Sequence, residues 1–133
     1  MRLTSAVLER TIDLLGPNGE HWGQGYYALD ANNQPVNFMA EDACKFCILG
    51  AVRRSFHDVY PNFQGWADID YTLLHQAIYN LFSDKVPNNR LDPVALNDEV
   101  AQSFDDVKHA LNEALSLVKE YEEKLIAEGF DGS

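Results

Sequence analysis

Apolar residues Val7, Leu8, Ile12 and Leu15 recur at the spacing of one helical face, Thr4 or Ser5 stands ready as an N-cap, and Gly16-Pro17 ends the run. This pattern predicts a first helix over 4–15. The turn-rich stretch "GPNGEHWGQG" breaks it, and "YYALD" and "PVNF" then read as two short strands around the turn "ANNQ", a β-hairpin. A second helix is expected from about Glu41 to Phe56, with Glu41 and Asp42 at its positive end and Arg53 and Arg54 near the other. Ala43, Cys47, Gly50 and Ala51 then lie along one side, with Phe46 beside them. After the connection "HDVYPNFQGWADID", Asp68 or Asp70 can cap a third helix whose apolar face is Ile69, Leu73, Leu74, Ala77, Ile78 and Leu81.

The polar, proline-containing stretch "SDKVPNNRLDPVALNDEVAQ" reads as a loop, long for a compact domain and therefore a candidate functional or partner-facing segment. Ser103 with Asp106 resembles a capping box opening the last helix. There Val107, Leu111, Ala114, Val118, Tyr121 and Leu125 alternate steps of four and three, while Leu115 and Leu117 widen the stripe. The expected fold is mainly α (α+β): about four helices in a small bundle, with one hairpin between the first and second. Residues 1–118 form the globular domain, and 119–133 a polar helical extension and tail where Tyr121 and Leu125 could meet a second copy in a homodimer.

At 133 residues, 46% of them hydrophobic, the chain suits one domain with a real core. No apolar run spans a bilayer and no signal-peptide h-region follows Met1, so a cytoplasmic protein is expected. The formal charge of −11 argues against holding a nucleic-acid backbone or an anionic membrane, because both affinities come from Lys and Arg. A cationic protein, or one that itself binds nucleic acid, is the partner class that charge leaves open. A strict mimic of DNA would need rows of uncompensated carboxylates, whereas Lys119 with Glu123 and Glu120 with Lys124 interleave at i,i+4.

Cys44 and Cys47 raise three chemistries. A structural zinc site would need a second close ligand pair, but His21, His57, His75 and His109 are scattered singly. A dithiol redox pair wants its first cysteine at a helix N-terminus, and the expected helix places both a turn inside, behind acids that raise a thiol pKa. The third reading, small residues in a close-packing strip of Cys47, Gly50 and Ala51, is favoured. No metal or other cofactor is expected. The candidate catalytic residues are Asp30 after the first strand, Cys47, and Asp98 of the Asn97-Asp98 pair. Asp30 before "ANN" also suits a plain turn, and Asp98 a loop hydrogen bond. Trp22, Tyr26 and Tyr27, with Asn97 and Asp98, are the candidate binding residues, and Trp66 could extend the aromatic surface. Phosphate-binding glycine loops, His-Glu-x-x-His, Gly-x-Ser-x-Gly and calcium-loop patterns are absent from the sequence.

Together "HWGQGYYALDANNQPV", "AEDACKFCILGA" and "ALNDEVAQSFDDVKHALNEAL" resemble the landmarks of a small bacterial and phage family classed only as a domain of unknown function. The resemblance falls on Trp22, Gly25, Ala28, Asp30, Ala43, Cys47, Gly50, Ala51, Asn97, Asp98 and Val107. It implies a single domain and marks Cys47, rather than Cys44, as the patterned cysteine. Leu96 stands where that pattern tends to have Trp, and the acidic tail from about Lys119 lies beyond its usual end. The function expected is a small acidic binding or regulatory protein working through protein contacts, in a phage setting an inhibitor of a host nucleic-acid-handling defence system. The rival is a small hydrolase or transferase with a pocket between hairpin and helices.

Overall fold

Helix α1, Ser5–Leu15, starts where the Thr4 hydroxyl accepts from the Val7 N–H at 3.3 Å and stops at Gly16. The same hydroxyl accepts from the Tyr60 phenol at 3.3 Å, so one oxygen both caps α1 and ties it to the end of α2, Ile48–Val59. Thr4→Ala should therefore lower stability by about 1–2 kcal/mol, the usual range for an N-cap, as read by chemical denaturation. The computed structural model describes residues 2–62, 68–84 and 92–129. Within these, α3 is Thr72–Phe82, α4 is the short turn Pro93–Ala95, a π-helical segment follows over Leu96–Val100, and α5 is Phe104–Ala127. The chain is thus mainly helical, with five α-helices among the described residues and one small antiparallel sheet, β1 (Ala28–Leu29) with β2 (Lys45–Phe46).

Three expectations change. The turn after Asp30 forms, with Asp30 N–H donating to Gln34 O at 3.0 Å and Val36 N–H to Ala28 O at 3.1 Å. Yet "PVNF" contributes only a single bridge, Leu29 to Pro35, because proline brings no N–H to a ladder and the chain turns away at Asn37. The strand that pairs with β1 comes from "CKF" instead: Cys44 N–H donates to Leu29 O at 2.9 Å, and Phe46 N–H to His21 O at 2.8 Å. The second change follows from the first. Residues 45–46 are extended, so α2 begins at Ile48 rather than near Glu41, and Cys47 is its N-cap rather than a residue one turn inside.

Third, the expected loop 83–102 contains helix. Asp92 accepts from Ala95 N–H at 2.7 Å and Pro93 occupies the first helical position, an arrangement that opens α4. The helix then widens, Ala101 N–H reaching Leu96 O at 2.9 Å across a π turn. Residues 85–91 of that stretch lie outside the described residues. At the start of α5 the side chain of Ser103 makes no cap bond, and Asp106 instead accepts from Gln102 N–H at 3.0 Å.

Helix α1 packs on α2 and α5, and α3 packs on α5. The stripes read from the sequence are the core: Val7, Leu8 and Leu15 of α1, Leu74, Ala77 and Ile78 of α3, and Val107, Leu111, Ala114 and Val118 of α5 are buried. Past Val118, α5 stays attached to the N-terminus through Lys119 with Glu9 at 3.2 Å, Glu122 with Arg2 at 3.6 Å and with Ser5 N–H at 3.2 Å, and Tyr121 under the Arg2 guanidinium.

Candidate binding cleft

Asn97 is 1% exposed, and a buried primary amide is costly unless its donors and acceptor are met. All are. Its Oδ1 accepts from Trp22 Nε1 at 2.8 Å and from Ile48 N–H at 3.1 Å, while Nδ2 donates to Gly23 O at 3.1 Å and to Asp98 Oδ1 at 2.8 Å. Its backbone carbonyl takes a further bond from Gln24 Nε2 at 2.8 Å. One side chain on the π segment thereby fastens the "WGQG" loop and the first turn of α2, serving one of the amides that a helix start leaves without an internal partner. Asp98 completes the join by accepting from Gly25 N–H at 3.0 Å. Gly25 has φ +88°, a left-handed conformation that glycine adopts without strain, and this lets the loop turn its amide to that carboxylate.

Between the loop and the π segment lies a cleft of about 310 Å³, lined by Gly25, Tyr26, Tyr27, Cys47, Leu49, Pro93, Val94, Asn97 and Asp98. Most of this wall is apolar. Tyr26 (58% exposed), Tyr27 (44%) and Val94 (48%) are the large side chains that stand at its rim open to solvent. The floor is close-packed: Tyr27 O accepts from Cys47 N–H at 3.3 Å and lies against Gly50, where an added Cβ would overlap that carbonyl. Cys47 and Gly50 of the expected strip are therefore the seat of the Tyr27 backbone.

Cys47 is 9% exposed, and its Sγ accepts from Gly50 N–H at 3.3 Å. Burial pushes its thiol above the ordinary value, against the stabilising N–H groups of Gly50 and Leu49, and the Asp98 charge adds a smaller push in the same direction as burial. At neutral pH the sulfur is a protonated, weakly polar part of the floor. A nucleophilic cysteine needs the opposite shift and a base. His21 sits elsewhere, with Nδ1 2.8 Å from Cys44 O, and His75 lines a different surface hollow with Tyr71 and Gln76. Among the described residues no three His, Cys, Asp or Glu side chains are placed to share a metal ion.

The candidates from the sequence thus divide. Tyr26, Tyr27, Cys47, Asn97 and Asp98 converge on the cleft, and Trp22 stands behind it, bonded to Asn97 and packed on Phe104 at 5.9 Å between ring centres. Asp30 does not join them. Its Oδ1 accepts from the N–H groups of Asn32 at 2.8 Å and Gln34 at 3.0 Å, so it holds the turn. Trp66 lies outside the described residues. Leu49, Pro93 and Val94 were not among the sequence candidates; the stretch holding Pro93 and Val94 read as a loop, and although an Asp-Pro pair can open a helix, nothing in it points to a cleft.

No described helix is long and apolar enough to cross a membrane. No curated protein and no solved structure gives a match to the chain. A family of unknown function, DUF6197, does: its pattern matches residues 1–117, and the chain belongs to that family.

Proposed function

We propose that the protein is a binding module that works through contact with a basic protein, receiving one cationic side chain in the cleft at Asp98. The observation that carries the reading is the cleft's make-up: an apolar wall of one-side-chain capacity with a single ionisable carboxylate, its geometry fixed by the Asn97 network. An Arg or Lys side chain matches it, with an aliphatic stem against Leu49, Val94 and the tyrosine faces and a charged head at the carboxylate. Asp98 Oδ1 is committed to Gly25 and Asn97, which leaves Oδ2 for a ligand. The formal charge of −11 would steer a cationic partner toward this face and repel an anionic one. An inhibitor of a basic, nucleic-acid-handling protein is the form of this function that size and acidity favour.

The enzyme reading draws support only from Cys47 and Asp98 sharing one cleft, and the protonated thiol without a histidine beside it weighs against it.

The test is a titration with n-butylguanidinium, followed by amide resonances, with n-butanol as the uncharged control. Saturable shifts at Gly25, Tyr26, Tyr27 and Asn97 are expected for the cation and much smaller ones for the alcohol. Asp98→Asn keeps the hydrogen-bonding oxygen and removes the charge, and should weaken the cation by about tenfold, the scale of one charge-assisted contact. Equal responses to both probes would make the cleft a purely apolar site, and no response at those residues would dismiss it as a site.

A further inference from the structure

The charge at Asp98 is easier to answer than the hydrogen bonds a charged head would want beside it. A guanidinium or a primary ammonium brings several N–H donors, and each needs an acceptor once water is displaced. The acceptors of the cleft are mostly engaged within the protein. Asn97 Oδ1 accepts from Trp22 Nε1 at 2.8 Å and from Ile48 N–H at 3.1 Å, and the Asn97 carbonyl from Gln24 Nε2 at 2.8 Å. Asp98 Oδ1 takes Gly25 N–H at 3.0 Å and Asn97 Nδ2 at 2.8 Å, while Tyr27 O and Cys47 Sγ take the N–H groups of Cys47 and Gly50. Besides Asp98 Oδ2, the lining is Leu49, Pro93, Val94 and two tyrosines, side chains that offer mainly carbon surface and ring faces.

The two rings are not equivalent. The Arg53 guanidinium lies 4.6 Å from the centre of the Tyr27 ring, and Phe38 meets that ring edge to face at 6.4 Å, so Tyr27 is braced and already serves one cation. Tyr26 has no ring or cation contact among the described residues and stands exposed at the rim. Its ring is the one open to a ligand. One free carboxylate oxygen, an open ring and an aliphatic wall suit a head whose charge is spread over methyl groups. Each N-methyl removes a donor that would go unpaired and adds apolar surface, while the positive charge persists for Asp98 and the ring.

Resting on the reading that a cation enters at Asp98, we propose that the side chain the cleft receives is an Nε-methylated lysine of the basic partner, its charge between Asp98 and the Tyr26 ring and its methyls against Leu49 and Val94. The cleft's volume of about 310 Å³ exceeds what a bare trimethylammonium group fills, which leaves room for the lysine stem.

The probes are the methylamides of N-acetyl-lysine and of its Nε-trimethyl form, with choline and neohexanol, in which a tert-butyl group replaces the trimethylammonium. They are titrated against the full chain and read at the Gly25 and Asn97 amides. The trimethyl form should bind about tenfold more tightly than the unmethylated one, the scale of one donor left without an acceptor. Choline should bind more weakly than trimethyl-lysine and more tightly than the alcohol. Tyr26→Leu should cut the preference for the trimethyl form by about fivefold, the scale of one cation–π contact, whereas Tyr26→Phe should retain it. A general loosening of the fold would lower both affinities and leave their ratio alone. Unmethylated lysine binding as tightly as its trimethyl form, or a preference that survives Tyr26→Leu, would overturn the inference and leave the cation reading standing. Choline binding as tightly as trimethyl-lysine would overturn the lysine side chain as the source of the head. Neohexanol matching choline, or no response to any probe, would overturn both readings.

Discussion

Gly50→Ala should lower stability by about 3 kcal/mol or more and the melting temperature by roughly 10 °C, although alanine in a helix interior is ordinarily worth about 1 kcal/mol over glycine. The sign is set by one contact. The new Cβ would overlap the Tyr27 carbonyl, a backbone atom that accepts from Cys47 N–H and cannot retreat without loosening that bond. Relief would have to come from shifting the whole 25–29 segment, including its ladder to β2. Against a total stability of order 5–15 kcal/mol, such a loss is large. Urea denaturation of the two proteins decides it; a stabilised alanine variant would mean that helix and loop are not in contact as described.

Asn97→Ala should be comparably damaging, at about 3–5 kcal/mol. Truncation leaves Trp22 Nε1, Ile48 N–H and Gly23 O without their partner in a buried place, and each such orphan costs roughly 1–3 kcal/mol before any water enters to compensate. Asn97→Asp preserves size and the accepting oxygen but sets a charge where Nδ2 now donates to Gly23 O and Asp98. It should therefore rescue little of the loss. Hydrogen exchange gives the matching local readout: the Gly25 and Ile48 amides should exchange much faster in both variants, while amides in the middle of α5 should follow only the global change. A mild effect for alanine would show that the loop is held to α2 by other means.

Alkaline pH should act through the same region. Cys47 and Tyr71 both have folded-state pKa values raised mainly by burial, so the unfolded chain releases their protons first and stability falls as pH rises past the ordinary thiol and phenol values. Below those values their contribution is fully present.

How far the sequence reached depended on whether the deciding interaction was local. α1, α3 and α5 each bury one face, and a face is written as period 3.6, so Val7 to Leu15, Leu73 to Leu81 and Val107 to Val118 were readable as they stand. The start of α2 was not. Glu41 and Asp42 carry a sound local signal for a helix N-terminus, but Cys44 and Phe46 find backbone partners at Leu29 and His21, and that pairing leaves no trace in local pattern. The short strand moved Cys47 from helix interior to N-cap. In the "LDPVALND" stretch the polar, proline-bearing composition reads as loop, while the Asp92-Pro93 pair that opens α4 is a two-residue signal within it.

The cleft was partly legible for a different reason. Trp22, Tyr26, Tyr27, Asn97 and Asp98 stood out as aromatic or amide-acid residues in turn-rich segments, from which binding residues are disproportionately drawn, although loop aromatics more often fold back onto the core, as Trp22 does against Phe104. That they meet follows from bonds between residues about 75 positions apart, Trp22 to Asn97 and Gly25 to Asp98, which no spacing rule reveals. The strip of Cys47, Gly50 and Ala51 announced a close approach, and its small side chains could not say that the Tyr27 backbone makes it.

The account's central claim is that the cleft holds a ligand by shape and charge, with Cys47 as an inert part of the floor rather than a reacting group. The most direct measurement is the rate at which iodoacetamide alkylates Cys47 as a function of pH, in the Cys44→Ser protein with Cys44 removed as a competing thiol. The account predicts a slow reaction whose rate climbs with a midpoint above the ordinary thiol value of 9.0, because burial disfavours the thiolate. A fast reaction at neutral pH with a midpoint well below that value would contradict it and make Cys47 an activated nucleophile.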